Sequence, residues 1–161
     1  PLYSSAASDV YKRQPQTTLA KQLAEYVLLY SPWQMAADMI ENYEHQPAFS
    51  FVESVPTDWE KTVVVNAKIG NYITIARKDK ASDDWYVGSA TDVDARDLSI
   101  DLSFLDKDRE YMAEVYADGP GADFRSNPYP LMYQRIRVTY ASSLRLHLAP
   151  SGGAAIRIKA F

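Results

Sequence analysis

The sequence contains no cysteine and only two histidines. Without cysteine, the chain can have no disulfide framework, no thiolate nucleophile and no cysteine-ligated zinc site. Neither His45 nor His147 has a serine, an aspartate or a second histidine at a spacing typical of catalysis. We therefore interpret both as surface residues, and His147 alternates with leucines in a pattern that points it outward.

Positive charge and long apolar runs are also scarce. A net charge of −4 weighs against nucleic acid or an anionic membrane as the main partner, because both require a basic surface. No apolar run approaches the roughly 20 residues of a membrane-spanning helix. A signal peptide is also missing, but the chain begins at Pro1 rather than at a methionine, so we expect an upstream part of the protein.

The 161 residues are typical of a soluble globular protein, since 47% are hydrophobic and 24% are charged. This length accommodates one domain of ordinary size and a fragment. Residues 1–14 show neither a helical nor a strand period, and we interpret them as a disordered or artefactual leader. The organised part of the chain is predicted to begin near residue 15.

Residues 15–58 show a helical period. Thr17 and Thr18 are suitable N-caps, and Pro32 ends the first helix because its ring disfavours the α conformation at the preceding residue. A second helix is predicted from Pro47 to Val55. Between the helices lie a short apolar run at residues 33–37 and a polar stretch at residues 38–44. The first helix carries one apolar stripe, formed by Leu19, Leu23, Val27 and Tyr30.

After Trp59 the hydrophobic period changes from about 3.6 residues to 2. About eight short strands follow at a spacing of roughly ten residues, each with one apolar face and with turn residues between them. Such half-polar strands exclude a parallel sheet covered on both faces. Residues 59–161 are therefore predicted to form a mainly β domain, an antiparallel β-sandwich of Greek-key type. The apolar positions that mark the strands are Val63 and Val65, Ile73 and Ile75, Trp85 and Val87, Leu98 and Ile100, Tyr111 and Ala113, Ile136 and Val138, Leu144 and Leu146, and Ile156 and Ile158.

Several short motifs occur in order from about Thr17 to the end of the chain. They are Tyr30-Ser31-Pro32, Gln34-Met35-Ala36-Ala37-Asp38, Glu41-Asn42-Tyr43, Val55-Pro56-Thr57-Asp58-Trp59, Tyr72-Ile73-Thr74-Ile75-Ala76-Arg77, Trp85-Tyr86-Val87-Gly88, Tyr116-Ala117-Asp118, Asn127-Pro128 and Gly152-Gly153-Ala154. With these motifs the chain resembles the C-terminal part of glycoside hydrolase family 97, the α-glucosidase and α-galactosidase family common in gut Bacteroidetes. One departure is Trp33, where the family usually has leucine.

The resemblance implies a place in the enzyme for each part of the chain. Residues 15–58 would be the remnant of a (β/α)8 catalytic barrel, with its seventh helix at 17–30, its eighth strand at 33–37 and its eighth helix at 47–55. This helix-strand-helix remnant would precede the C-terminal β-sandwich at 59–161. We expect the sandwich to support the barrel wall. The apolar stripe of the first helix should pack in part against the second helix and the sandwich, and the rest should lie exposed where the missing barrel would cover it.

The resemblance also implies where a substrate would bind. Barrel active sites lie at the C-terminal ends of the strands, so Asp38, Glu41, Asn42 and Tyr43 would lie on the substrate rim. The family's catalytic glutamates, and the glutamates that hold calcium, belong to earlier parts of the barrel and have no match here. Glycoside hydrolysis requires two carboxyl groups that flank one bond. We therefore expect this chain to contain no catalytic residue and no metal site, and to be inactive alone.

Two other groups of residues have a possible binding role that we consider weaker. The three tryptophans could form a sugar-stacking platform, but they lie in different elements, so we interpret them as packing residues. Four aspartates after Thr91 could bind calcium, but they lack the third ligand and the glycine of a calcium loop, which indicates a solvated acidic turn. These residues are Trp33, Trp59 and Trp85, and Asp92, Asp94, Asp97 and Asp101.

The sequence thus predicts the C-terminal part of an enzyme acting on α-glucosides or α-galactosides. Its partners would be its own missing barrel and, in the complete enzyme, an oligosaccharide. We expect a periplasmic or secreted location in a Gram-negative bacterium, with the signal peptide on the missing part. The alternative is a non-catalytic carbohydrate-binding or adhesion sandwich. A free module of that kind does not require the helical segment before residue 59, so this segment favours the enzyme fragment.

Overall fold

The computed structural model of the chain describes residues 16–35 and 47–161. This part contains two helices and eight strands. They are α1 (Leu19–Leu28), α2 (Phe49–Ser54), β1 (Trp59–Lys68), β2 (Tyr72–Asp79), β3 (Trp85–Thr91), β4 (Arg96–Asp101), β5 (Tyr111–Asp118), β6 (Leu131–Val138), β7 (Ser143–Leu148) and β8 (Gly153–Ala160). The predicted leader, residues 1–14, lies outside the described residues. Neither described helix is long and apolar enough to cross a membrane.

The strands form two antiparallel sheets that face each other. Six strands make the larger sheet in the order β1-β2-β3-β8-β5-β6, and β4 pairs with β7 in the smaller one. The last strand, β8, lies between β3 and β5, and its Ile156 is paired with Val87 on one side and Val115 on the other. The predicted mainly β, antiparallel sandwich of eight strands is therefore confirmed.

An apolar layer fills the space between the two sheets, and we call it the inner core. Strand alternation directs one side chain in two into this layer, as predicted. Trp85 was predicted to point inward with Val87, and both belong to the inner core, with Trp85 only 4% exposed. The inner core also contains Ile100, Leu102, Leu105, Tyr111, Ala113, Val115, Val138, Leu144, Leu146, Leu148, Ala154, Ile156 and Ile158.

The opposite face of the large sheet is also covered, which corrects two predictions. Strand β3 is buried at every position, and β5 and β8 are buried over most of their length, so these strands do not have one polar face. The cover is α1, whose Leu23 and Val27 are 3% and 0% exposed. The apolar stripe of α1 is therefore packed against the sheet rather than exposed, and only Tyr30 at its end remains 63% exposed.

Glycine permits the close approach of α1 to the sheet. A Cβ atom at Gly88 would lie 2.7 Å from the carbonyl oxygen of Ala24, and one at Gly153 would lie 2.7 Å from the Cα atom of Lys21. Real Cβ atoms do not approach other atoms so closely, so a side chain at either position would push the helix away. Glycine in the middle of β3 thus marks a close backbone contact, as glycine in strands often does.

The rest of the front segment forms the end of this cover. Helix α2 falls within the predicted range of 47–55, and its Phe51 is 1% exposed. Residues 33–35 form no strand, and the other two residues of the strand predicted at 33–37 lie outside the described residues.

Candidate functional site

The substrate-rim candidates cannot be placed in this structure. Asp38, Glu41, Asn42 and Tyr43 all lie outside the described residues, as does His45, so their roles remain predictions. Within residues 16–35 and 47–161, no group of three or more histidine, aspartate or glutamate side chains is arranged to hold a metal ion. The calcium that the resemblance implies for the complete enzyme therefore has no ligand set in this part of the chain.

The acidic turn after β3 is held by charge pairing and hydrogen bonds. The Asp92 carboxylate accepts hydrogen bonds from the Arg96 guanidinium at 2.9 Å, from the Asn71 amide at 3.0 Å and from the Asp94 backbone N–H at 2.9 Å. These donors hold the pKa of Asp92 far below its usual range, and the backbone N–H of Asp94 has the largest effect. The carboxylate is thus committed to structural contacts.

The other three aspartates of that group also have partners, and the Asp94 carboxylate lies 3.7 Å from the Arg96 guanidinium. Asp97 lies 2.8 Å from Nδ1 of His147 on the neighbouring strand, and Asp101 accepts a hydrogen bond from the Ser103 backbone at 2.8 Å. The His147 side chain is 65% exposed, which confirms that it points outward. These partners favour the interpretation as a surface turn, in which arginine and histidine side chains pair with the carboxylates.

The three tryptophans do not form a common platform. Trp85 is in the inner core and Trp33 is 77% exposed. Trp59 packs on the opposite face of the large sheet, with its ring centre 5.7 Å from that of Tyr86. A shared platform would need the three rings to lie side by side, and they occupy three separate places. The interpretation as packing residues is confirmed for Trp59 and Trp85.

The most elaborate polar arrangement holds the start of α1 against the sheet. Asp118 at the end of β5 is 4% exposed, and its Oδ2 accepts hydrogen bonds from the backbone N–H groups of Ala149 at 2.8 Å and Gly153 at 2.9 Å. Burial raises the pKa of Asp118, while hydrogen bonds from the backbone N–H groups of Ala149 and Gly153 oppose that shift. Asp118 therefore links β5 to the β7–β8 turn, and the Ser151 carbonyl of that turn accepts the Thr18 backbone N–H of α1.

Further bonds hold the first turn of α1 in the same place. Thr18 donates its backbone N–H to the Ser151 carbonyl at 3.2 Å, and Leu19 donates to the Pro128 carbonyl at 2.8 Å. The Lys21 ammonium donates to the Thr91 carbonyl at 2.9 Å. Two loops of the sandwich thus satisfy backbone donors at the helix start, where no partner exists within the helix, and the end of β3 binds the Lys21 side chain.

The end of α1 is held by an arginine between two aromatic rings. Arg77 on β2 is 7% exposed and donates from Nη2 to the Leu28 carbonyl at 3.2 Å. Its guanidinium carbon lies 5.8 Å from the ring centre of Tyr30 and 5.7 Å from that of Trp59, within the range of cation–π attraction. Burial lowers the pKa of Arg77, although its basicity leaves it charged. A cation at the C-terminus of a helix also favours the helix dipole.

Aromatic side chains occupy the space beneath α1 and α2. Leu23, Val27, Ala48, Phe51, Tyr86, Tyr116 and Ala155 form this layer, which we call the outer cluster. The Phe51 ring meets Tyr86 at 6.0 Å and Tyr116 at 5.5 Å, in both cases edge to face. The hydroxyl of Tyr86 donates to the Ser54 carbonyl at 2.7 Å, so its polar end is also satisfied. The outer cluster therefore fixes both helices to the sheet.

An exposed apolar surface begins where α1 ends. Four large side chains there are more than half exposed, and we call them the terminal patch: Leu29 at 64%, Tyr30 at 63%, Trp33 at 77% and Met35 at 73%. Exposed apolar residues that occur together, rather than singly, mark an interaction surface. The patch lies on the helical side of the sandwich and follows directly from the anchored helix.

Sequence reasoning missed the residues that anchor α1. Asp118 is followed by glycine and proline, which indicates a turn, and nothing in the local sequence marks Arg77 as a residue that holds a helix. One signal was available, because Gly88 interrupts an otherwise apolar strand and such a glycine indicates close approach of another backbone.

The described residues thus form a β-sandwich whose large sheet carries its own helical cover. The family profile described as "Glycosyl-hydrolase 97 C-terminal, oligomerisation" matches residues 58–159. The chain belongs to glycoside hydrolase family 97, as its motifs predicted.

Relatives of known activity or structure match the helical segment as well as the sandwich. A retaining α-galactosidase of Bacteroides thetaiotaomicron is 38% identical over 150 residues, 89% of this chain and 21% of that protein. A family 97 enzyme of Pseudoalteromonas sp. strain K8, solved with acarbose, is 48% identical with a TM-score of 0.88 over 92% of this chain and 23% of its own. A β-arabinopyranosidase structure is 26% identical, with a TM-score of 0.71, over 88% of this chain and 21% of its own. This chain thus spans about a fifth of the length of these relatives.

Proposed function

We propose that this chain is the C-terminal, non-catalytic part of an α-glycosidase of family 97, and that it holds the end of the catalytic barrel in place. The observation that carries the proposal is the junction between α1 and the sandwich. The helix is fixed at its start by the carbonyl groups of Ser151 and Pro128 and at its end by Arg77, and the terminal patch follows immediately. A rigid sandwich thus presents an apolar surface to the rest of the enzyme.

The substrate class of the complete enzyme is proposed from its relatives. The Bacteroides relative is named as an α-galactosidase, and the Pseudoalteromonas enzyme was solved with acarbose and with panose. We assign α-glucosides or α-galactosides to the complete enzyme, with Asp38, Glu41, Asn42 and Tyr43 as contacts on the substrate rim. A periplasmic or secreted location in a Gram-negative bacterium belongs to the same proposal.

The first experiment measures hydrolysis by the 161-residue chain alone. We expect no release of nitrophenol from nitrophenyl α-glucoside or α-galactoside above the buffer rate, because glycoside hydrolysis requires two carboxyl groups that flank one bond and the described residues contain no residue assigned to such a pair. Turnover that Asp38→Asn abolishes would overturn the assignment as a non-catalytic part.

The second experiment tests the supporting role in a chimera. Residues 16–161 replace the matching segment of the Pseudoalteromonas enzyme, and the chimera is expected to remain soluble and to hydrolyse panose. Trp33→Asp places a charge in the terminal patch and should reduce soluble, active chimera several-fold, since a buried unpaired charge is costly. Val93→Asp is the matched control, because Val93 is 60% exposed on the β3–β4 turn. Equal losses from both substitutions would contradict the role of the patch.

A further inference from the structure

Strand β6 forms an open edge of the large sheet. Within the described part of the chain it pairs only with β5, and no second strand lies on its other side. Its apolar side chains are partly exposed, with Met132 at 37%, Tyr133 at 45% and Ile136 at 36%. The small sheet covers β6 only in part: Val138 belongs to the inner core, whereas Met132 and Ile136 border a small cavity beside Leu144 and Leu146 of β7 and stay partly exposed. An edge of this length, with both backbone and apolar side chains available, is a template for another strand.

The hydrogen-bond pattern identifies the free backbone groups of this edge. Gly119 donates to the Pro130 carbonyl at 2.9 Å, one pair beyond the paired residues Asp118 and Leu131. Hydrogen-bonded pairs alternate along an antiparallel ladder, so the even-numbered residues of β6 bond to β5. The odd-numbered residues therefore direct their N–H and C=O groups outward, and they are Leu131, Tyr133, Arg135 and Arg137.

We propose that β6 pairs antiparallel with β6 of a second copy of this chain, about a two-fold axis at Gln134, so that two large sheets become one. The inference rests on the proposed function, because the matched family domain is described as an oligomerisation domain. It deepens that function by naming the surface, the partner and the register.

The register follows from the free groups and from the side chains. Backbone hydrogen bonds across the new edge can form only between outward-facing residues, which are all odd-numbered. Each residue must therefore pair with a partner residue that is also odd or also even, and a two-fold axis perpendicular to the sheet then passes through a residue rather than between two residues. With the axis at Gln134, Tyr133 meets Arg135 of the partner and Leu131 meets Arg137, so every outward backbone group of the strand is bonded. On the other face, Met132 meets Ile136 of the partner.

Neighbouring registers are worse. An axis at Arg135 would set two arginines directly opposite each other, which is destabilising, and it would leave Leu131 beyond the paired region. An axis at Tyr133 would leave Arg137 beyond the paired region. By contrast, the Gln134 register combines an aromatic–guanidinium pair with an apolar pair, and both types stabilise adjacent strands.

Cysteine cross-linking tests both the pairing and the register. The chain contains no cysteine, so one introduced thiol can only join two copies. In the proposed register, the two residues at position 134 form a non-hydrogen-bonded pair with Cα atoms about 4.5 Å apart, within the range that a disulfide spans. The two residues at position 135 would be roughly 8 Å apart, which is too far for a disulfide.

We expect the Gln134→Cys chain to form a covalent dimer under mild oxidation and the matched Arg135→Cys chain to remain monomeric. Cross-linking at position 135 alone would overturn the register. Cross-linking at neither position, in variants whose circular dichroism matches that of the parent, would overturn the pairing.

A charge exchange at the axis provides an independent test without oxidation. Gln134→Glu and Gln134→Lys each place like charges opposite each other, and we expect each to raise the dimer dissociation constant about fivefold in sedimentation experiments. Mixing the two variants should restore the dimer, because opposite charges then meet. Ser99→Glu, on the exposed face of β4, should leave the dissociation constant unchanged.

A parent chain that stays monomeric at all accessible concentrations would overturn the proposal and indicate that another segment or protein covers this edge. None of these measurements uses a substrate. An inactive chimera would therefore leave the dimer result intact, and a monomeric chain would leave the catalytic assignment intact.

Discussion

The two faces of the large sheet are covered in different ways. The inner core is built mainly from aliphatic side chains of strands that alternate in sequence, with Trp85 and Tyr111 among them, and the small sheet closes it. The outer cluster combines three aromatic rings with alanine and with Leu23 and Val27 of the helical cover, and α1 and α2 close it. The inner face is thus determined by the alternation of apolar side chains along the strands. On the outer face, the position of α1 depends on Gly88 and Gly153, which have no side chain to keep the helix away.

The packing of α1 on the outer face raises the question of whether the helix unfolds together with the sandwich. The family profile starts at residue 58, and the sequence predicted a domain boundary near it. However, α1 precedes residue 58 in the chain and buries Leu23 and Val27 against the sheet. If α1 is part of the same cooperative unit, substitutions on the two faces should have comparable effects.

The largest expected effect comes from a matched pair of leucines. Leu23 on the outer face and Leu146 in the inner core are 3% and 5% exposed. Truncation of a buried leucine to alanine removes apolar contacts and leaves a cavity, so Leu23→Ala and Leu146→Ala should each lower the free energy of unfolding by about 2–5 kcal/mol. Urea unfolding of the full chain measures both. Leu29→Ala, at a 64% exposed position, should change stability by less than about 0.5 kcal/mol.

If Leu23→Ala left global stability unchanged while Leu146→Ala reduced it, the two faces would not be equivalent. The helix would then dock and undock independently of the sandwich, and the boundary near residue 58 would be a boundary of cooperativity.

The next effect comes from adding a single methyl group at the closest contact. Gly88→Ala places a Cβ atom against the Ala24 carbonyl, which the backbone can relieve only by moving α1. Overpacking of this kind should lower the free energy of unfolding by about 1–3 kcal/mol, measured by thermal or urea unfolding. Ser99→Ala changes an exposed strand residue far from α1 and should be nearly neutral. A neutral Gly88→Ala would show that α1 does not rest on this strand in solution.

A smaller effect is expected at the start of α1. Thr18 is fully buried, and its hydroxyl accepts a hydrogen bond from the Lys21 backbone N–H at 3.3 Å. Loss of this N-cap in Thr18→Ala should lower stability by about 0.5–2 kcal/mol. Thr17 is the matched control, because its buried hydroxyl oxygen has no hydrogen-bond partner among the described residues. Thr17→Val should therefore be neutral or stabilising, and the reverse order would contradict the assignment of the cap.

The smallest effect lies outside both faces, in the acidic turn. Hydrogen bonds lower the pKa of Asp92 in the folded state, so its contribution to stability is present above the unfolded pKa of about 4 and is lost as the pH falls below it. We expect Asp92→Asn to lower the melting temperature slightly at pH 7 and to flatten its decline below pH 4. Asp94→Asn is the control, because the Asp94 side chain is 75% exposed. A steeper acid decline in Asp92→Asn would contradict the assigned direction.

Most of the fold could be predicted because each strand is short and alternates regularly. Leu144, Leu146 and Leu148 at every second position define β7 without any knowledge of its partner. Strand order could not be predicted in the same way, because the pairing of β8 with β3 and β5 depends on contacts between distant residues. The sequence did not predict that β3 is buried on both faces, because Gly88 and Ala90, which face α1, are small and do not form an apolar stripe of large side chains.

The candidate site was less predictable. The resemblance correctly assigned the family from motifs such as Tyr116-Ala117-Asp118 and Trp85-Tyr86-Val87-Gly88. It did not reveal what Asp118 does, because a buried carboxylate is recognised by the N–H groups around it, and those come from the β7–β8 turn. Local sequence carries no record of such partners.

The placement of α1 has a consequence for synthesis on the ribosome. The helix leaves the ribosome before the sandwich, but the strand that completes its docking surface, β8, is the last to appear. Chains are synthesised at roughly 5–20 residues per second, so the apolar side of α1 stays uncovered for on the order of ten seconds before β8 is made. During this interval Leu23 and Val27 are available to chaperones or to neighbouring chains. Efficient production of this chain in a cell therefore depends on what occupies the helix while the strands are still being made.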